Sequence, residues 1–288
     1  MGISVKAVAD KRMFCLNAAI NVTGYDFENH PPMHPIRILV REYLNRQNLD
    51  LEELKKLFDK YPSNHHYCFR FWVLHHGEPP TFPEINSVWQ DVLPKDINEV
   101  GKLLGNFWAE AKLETIWEQV LPTYQQAVVQ LEVIGQEAVN KVINYFRADK
   151  LGIKEFVIIP NFLDSHYIGL GPQIGDTAVA ILGPDFDNFT LPKLMHEFLH
   201  SIINPLTESL PDVQKRSKLR EYWIRAIVIR TSDLSEEKYI QKRQIVIDRG
   251  YTNIDYFLGK LVEFEKGEKD FLQYFKKSPH QLAMNDYC

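Results

Sequence analysis

Seven residues constrain this chain more than any others: Leu194-Met195-His196-Glu197-Phe198-Leu199-His200, an H-E-x-x-H pattern inside an apolar run. An α-helix rises about 1.5 Å and turns about 100° per residue, so His196 and His200 stand one turn apart on one face. Two imidazoles so placed reach a single metal ion. Glu197 is displaced around the helix, so it misses the ion but reaches a water held beside it. The flanks support a helix. Thr190 or Asn188 can cap it, Pro192 suits its first turn, and Asn204-Pro205 is expected to end it. Leu194, Met195, Phe198, Leu199, Ile202 and Ile203 make it apolar nearly all round, so it should be buried. Burying two histidines and a glutamate is costly unless they are satisfied. A metal ion satisfies them; histidines bonded to backbone carbonyls in a plain core helix are the alternative.

At 288 residues the chain can bury a sizeable core, as one large domain or two lobes. Its 45% hydrophobic and 25% charged residues are ordinary for a soluble globular protein. A net charge of −5 and a pI near 6.1 argue against a nucleic-acid partner. The longest apolar runs, such as 156–160 and 222–229, are too short to span a bilayer, so no membrane partner is expected. Lys6, Asp10, Lys11 and Arg12 interrupt the start, leaving no secretory apolar stretch. The chain as written therefore reads as cytoplasmic, or as secreted or periplasmic if a signal peptide has been removed. Cys15, Cys68 and Cys288 form neither a disulfide framework nor a zinc-knuckle pattern.

The periodicity predicts an α+β protein, mostly α. Residues 1–148 read as a helical region, with helices over 11–22, 35–45, 51–61, 64–74, 97–113 and 123–146, the last starting after a break at Leu121-Pro122. Residues 149–288 read as the catalytic region, the two together forming either separate units or one compact body. Here three short β-rich runs (156–159, 166–170, 177–182) precede the H-E-x-x-H segment. Gly175-Asp176 supplies a hairpin turn, so a small antiparallel sheet is expected beside the helix. Helices return over 213–230, 235–249, 254–266 and 269–275.

A catalytic zinc takes three protein ligands and leaves a position for water. The three-histidine spacing H-E-x-x-H-x-x-G-x-x-H is excluded, because Ile203 and Leu206 stand where its glycine and last histidine would be. Glu221, twenty-one residues past His200, opens an otherwise apolar stretch that should pack on the metal helix. It is the expected third ligand. An i,i+4 pair with Arg225 is its plainer reading, and Glu208 is the other candidate ligand.

With these residues the chain resembles the gluzincins, the thermolysin-like zinc metallopeptidases that combine H-E-x-x-H with a downstream glutamate. More narrowly, HEFLHSIINP (196–205) followed by Glu221 is similar to a bacterial metalloprotease family with an H-E-F-x-H-S core. The resemblance covers about residues 155–230 and implies one Zn2+, a peptide or protein substrate, and Glu197 as general base. It also implies an edge strand that binds extended peptide, for which Thr177, Ala178, Val179 and Ala180 in the last strand before the helix are the candidates. Two departures stand out. Arg225 occupies the place of the aspartate that orients the first histidine in such enzymes, and no downstream histidine motif marks an oxyanion donor. Asn204 can take over part of that orienting role. Tyr251, Tyr222, His166, Tyr167 and His280 are the oxyanion candidates, although Tyr222 points about 100° away from Glu221 around its helix. A zinc hydrolase of another amide or ester would use the same ligands, and a binding or scaffold protein could retain them without turnover.

The run from His65 to His76 invites a second metal, but its end histidines are about 16 Å apart on a helix. His65 and Cys68 at i,i+3 would still need two further donors. A buried aromatic helix with polar ends is the better reading.

Overall fold

The computed structural model describes residues 2–25, 33–61, 66–91, 93–148, 151–166, 168–184, 189–208 and 212–277. The first half holds strand β1 (Ser4–Ala7) and helices α1 (Lys11–Thr23), α2 (Pro35–Asn45), α3 (Glu52–Asp59), α4 (His66–Leu74), α5 (Glu99–Glu110) and α6 (Leu113–Phe146). Strands β2 (Glu155–Pro160), β3 (Gly169–Leu170), β4 (Gln173–Ile174) and β5 (Thr177–Leu182) follow. Then come α7 (Leu191–Thr207), α8 (Val213–Thr231), α9 (Glu236–Asp248), α10 (Ile254–Lys266) and α11 (Phe271–Lys277). The chain is α+β and mostly helical, as the periodicity predicts.

Local chemistry accounts for the element ends. Asp10 and Asp212 cap α1 and α8 by accepting from the Met13 and Lys215 amides at 3.0 Å. Gly24, at φ 76°, closes α1 in the left-handed conformation. Two predicted breaks are not breaks. Pro122 lies inside the 34-residue α6, on its exposed side, where water can serve the carbonyl that the ring leaves unpaired. Pro205 lies inside the last turn of α7. The Asn204 carbonyl, one of those left over at the helix end, accepts from Thr207 Oγ1 (2.9 Å) and Arg220 Nη2 (3.2 Å). Thr190 occupies the N-cap position of α7 without a capping side-chain bond, and Asn188 lies outside the described residues.

The sheet corrects the expected antiparallel arrangement. Its order is β1-β2-β5-β3, with β4 also on β5; β1, β2 and β5 are parallel, and only β3 and β4 run antiparallel. The Gly175 turn does join an antiparallel pair, β4 and β5, but the second expected run, 166–170, shrinks to Gly169–Leu170. β1 was hidden in a region that reads as helical throughout. It is four residues long and pairs Val5 with Phe156 across the expected boundary at 148. Helices α6 and α7 pack side by side beneath the sheet, α6 under β1 and β2 and α7 under β5, and α8 packs on α7. Phe156 and Phe198 meet at 4.9 Å between ring centroids.

A buried ion pair anchors the chain between β2 and β3. Arg70 of α4 lies 2.7 Å from Asp164, with the side chains only 5% and 8% exposed. Asn17 of α1 accepts from Arg70, and Asn161 donates to Asp164. Helices of the first half thus hold the segment that leads into the sheet edge. No helix among the described residues is long and apolar enough to cross a membrane.

Candidate metal centre

The six apolar positions of α7 are buried, as its pattern requires, and this leaves one strip of the helix facing outward with His196 and His200. Their rings stand 5.0 Å apart between centroids. α8 is clasped to the end of α7 by Arg220, which donates to Thr207 Oγ1 (2.6 Å), the Asn204 carbonyl and Glu208. That clasp sets the register of the next residue, Glu221. Its Oε1 lies 3.4 Å from His200 Nε2 and its Oε2 3.6 Å from His196 Nε2. The ligand atoms of these three residues all fall within 4.8 Å of one another.

These separations fit an ion better than direct bonding. Charge-assisted N–H···O bonds close to about 2.7–2.9 Å, whereas donors about 2.0–2.1 Å from one tetrahedral zinc stand about 3.4 Å apart. Glu221 Oε2 is buried without a directed hydrogen bond, although Arg225 Nη2 approaches it to 2.8 Å. The i,i+4 pair with Arg225 therefore exists, yet the carboxylate still converges on both histidines. Glu208 does not: it is largely exposed and pairs with Arg216 and Arg220.

Electrostatics favour the ligating forms. Burial pushes the His200 imidazolium down to about 4, so the ring is neutral at physiological pH. Burial works to raise the Glu221 carboxyl, but His196, His200 and Arg225 outweigh it and hold the group well below the usual carboxylate range. Asn204 Oδ1 lies 3.3 Å from His200 Nδ1, so it orients the second histidine and not the first. Arg225 stacks its guanidinium 4.4 Å over the Tyr251 ring and so is fixed in place.

Glu197 is buried, and its Oε2 has no hydrogen-bond partner among the described residues. Burial, opposed by His196, pushes its carboxyl up to about 7, where it can hold or release a proton near neutrality. Edge strand β3–β4 runs over it so closely that only glycine fits. A Cβ at Gly169 would stand 2.1 Å from Glu197 Oε1, and one at Gly171 would stand 2.5 Å from the Glu197 carbonyl. The run Ile168-Gly169-Leu170-Gly171-Pro172 held this signal, but its glycines read only as turn formers.

A cleft of about 500 Å³ opens between this edge and α8, lined among others by Glu197, His200, Asn204 and Glu221. Tyr67 of α4 also lines it and brings the first half of the chain into its wall. It was overlooked in the sequence because His65 to His76 reads as core, and nothing marks which aromatic ring escapes burial. Three expected placements are corrected. Thr177, Ala178, Val179 and Ala180 cannot be an edge: β5 is bonded to β2 on one side and to β3 and β4 on the other, so its backbone groups are used. Tyr222 is buried against Phe257 and accepts from the Asn253 amide, facing away from the cleft. His166 turns Nδ1 to the Pro184 carbonyl at 3.0 Å and does not line the cleft. Tyr251 lies beside Glu221, in a second cleft. Tyr167, His280 and His65 lie outside the described residues. His75 and His76 are buried among aromatic rings, and the His196, His200 and Glu221 group is the one metal-ligating cluster among the described residues.

Compared with protein-family models, curated proteins and solved structures, the chain matches none.

Proposed function

We propose that this protein is a zinc-dependent metallopeptidase of the gluzincin kind, with His196, His200 and Glu221 as ligands and Glu197 as general base. The observation that carries the reading is the 3.4 and 3.6 Å spacing of the Glu221 oxygens from the two imidazole nitrogens, with a buried, unpartnered Glu197 Oε2 beside them. Two imidazoles and a carboxylate are a donor set suited to zinc, which when bound supplies a Lewis acid that polarises a carbonyl and acidifies water. Glu197 Oε2 takes the proton of the attacking water and passes it to the leaving nitrogen. The outer side of β3–β4 offers main-chain groups to an extended peptide, which lies along the cleft over Glu197. Tyr67 supplies an aromatic side chain to the wall of the cleft. Cleavage of a peptide library by the wild type, but not by Glu197→Gln with its zinc retained, is the expected result. No cleavage by zinc-loaded wild type would overturn the peptidase reading in favour of a binding protein.

A further inference from the structure

A second cleft, of about 400 Å³, adjoins the first and shares Ser217 and Glu221 with it. Its far wall is the turn Arg249-Gly250-Tyr251 between α9 and α10, where the first cleft has the β3–β4 edge. Three charged side chains line it: Lys218, Arg249 and Glu221. Glu221 is engaged with the two histidines and Arg225. The two cations are exposed on opposite walls, and among the described residues neither has a carboxylate within ion-pair distance. The arginines of α8 and α9 (Arg216, Arg220, Arg225, Arg230 and Arg243) are paired with acids, so Arg249 differs from them, whereas among the described residues Lys215, Lys238 and Lys242 are without an ion pair like Lys218. In a chain with net charge −5, two uncompensated cations thus face one cleft beside a metal ligand. Behind them the Arg225 guanidinium, stacked on Tyr251, offsets the Glu221 carboxylate with which it is paired.

Such a cleft attracts an anion. An arginine fork donates two parallel bonds to a carboxylate, lysine adds a point charge, and Ser217 and Gln214 offer further donors. We propose that the Lys218–Arg249 cleft is a carboxylate subsite, so that preferred peptides carry a negative charge a short way from the cleaved bond. The inference rests on the peptidase reading and gives it a substrate class. The carboxylate comes from a free C-terminus or from an acidic side chain.

The test uses four synthetic octapeptides of one neutral sequence, C-terminally free or amidated, each with Gln or Glu next to the last residue. Binding to zinc-loaded Glu197→Gln protein is measured by calorimetry, which does not depend on turnover. At least one acidic peptide should bind about ten-fold more tightly than the amidated Gln peptide. Lys218→Ala/Arg249→Ala in the same background should remove that advantage. Preference for the free terminus identifies the chain end as the source; preference for Glu irrespective of amidation identifies the side chain. Equal or undetectable binding of all four, or a preference that survives the double substitution, overturns the subsite. Cleavage of the amidated Gln peptide by wild type, scored separately, reports on the peptidase reading alone.

Discussion

Gly169→Ala separates the proposed general base, Glu197, from the proposed metal ligands. The new methyl carbon would stand 2.1 Å from Glu197 Oε1, 2.6 Å from Cδ and 3.2 Å from Cγ. Ordinary contact begins near 3.4 Å, so the carboxylate must withdraw by about 1.3 Å or the edge strand must lift as far. Gly169 does not have a left-handed backbone, so alanine adds no strain of its own, and the cost is overpacking of about 1–3 kcal/mol. A misplacement of about 1 Å at a reacting group costs on the order of 100-fold in rate. We therefore expect Gly169→Ala to fold, to keep its zinc, and to lose about 100-fold in kcat/KM, mostly through kcat. Peptide hydrolysis, metal analysis and thermal melting read these three quantities from one preparation. Gly171→Ala should behave differently, because its methyl group would meet the Glu197 carbonyl at 2.5 Å, and helix backbone cannot swing aside. That variant should lose stability as well as activity. Wild-type activity and melting temperature in Gly169→Ala would refute the placement of Glu197 beneath the strand.

Two further outcomes follow from buried charge. The Glu197 carboxyl, raised from 4.5 to about 7 in the folded metal-free protein, contributes stability that is full below 4.5 and is lost as pH rises through 7. The loss is on the order of 3 kcal/mol, and Glu197→Gln should escape it. Melting of chelator-treated proteins should therefore show the Gln variant gaining on wild type across pH 4.5 to 7; parallel curves would sink the assignment. His200, pushed down to about 4, works in the opposite direction but equally in both proteins. Separately, Asp164→Asn strands the buried Arg70 charge and should cost about 3–5 kcal/mol, a fall of roughly 10 °C in Tm. Arg70→Met/Asp164→Leu should recover most of that loss, and a double variant as unstable as the single would contradict the argument.

The parts of this fold legible in the sequence are those whose cause is local. Helical periodicity and caps such as Asp212 and Ser235 depend on neighbours a few residues away, and the described helices fall close to where the pattern puts them. The convergence of His196, His200 and Glu221 was readable for a related reason. Two lie one turn apart on a single helix, and the third is a carboxylate beside an apolar stretch of α8, where it needs a partner. What failed was non-local. Nothing near Ser4–Ala7 reveals a partner at Glu155, and Thr177–Leu182 looks like an edge until two two-residue strands cover it. Proline at positions 122 and 205 reads as a stop, but Pro122 lies on an exposed side where water can serve the displaced carbonyl, and Pro205 lies in a last turn that Arg220 clasps from α8. Two oxyanion candidates, Tyr222 and His166, failed because tyrosine and histidine serve in cores as readily as in clefts, and both are engaged elsewhere.

The central claim is that His196, His200 and Glu221 hold one metal ion. Zinc content of purified wild type, Glu221→Ala, Glu208→Ala and Glu197→Gln, measured by mass spectrometry after dialysis against a mild chelator, tests it most directly. The account predicts stoichiometric zinc in wild type, Glu208→Ala and Glu197→Gln, and its loss in Glu221→Ala. Zinc that survives Glu221→Ala, or a wild type that binds none, would contradict it.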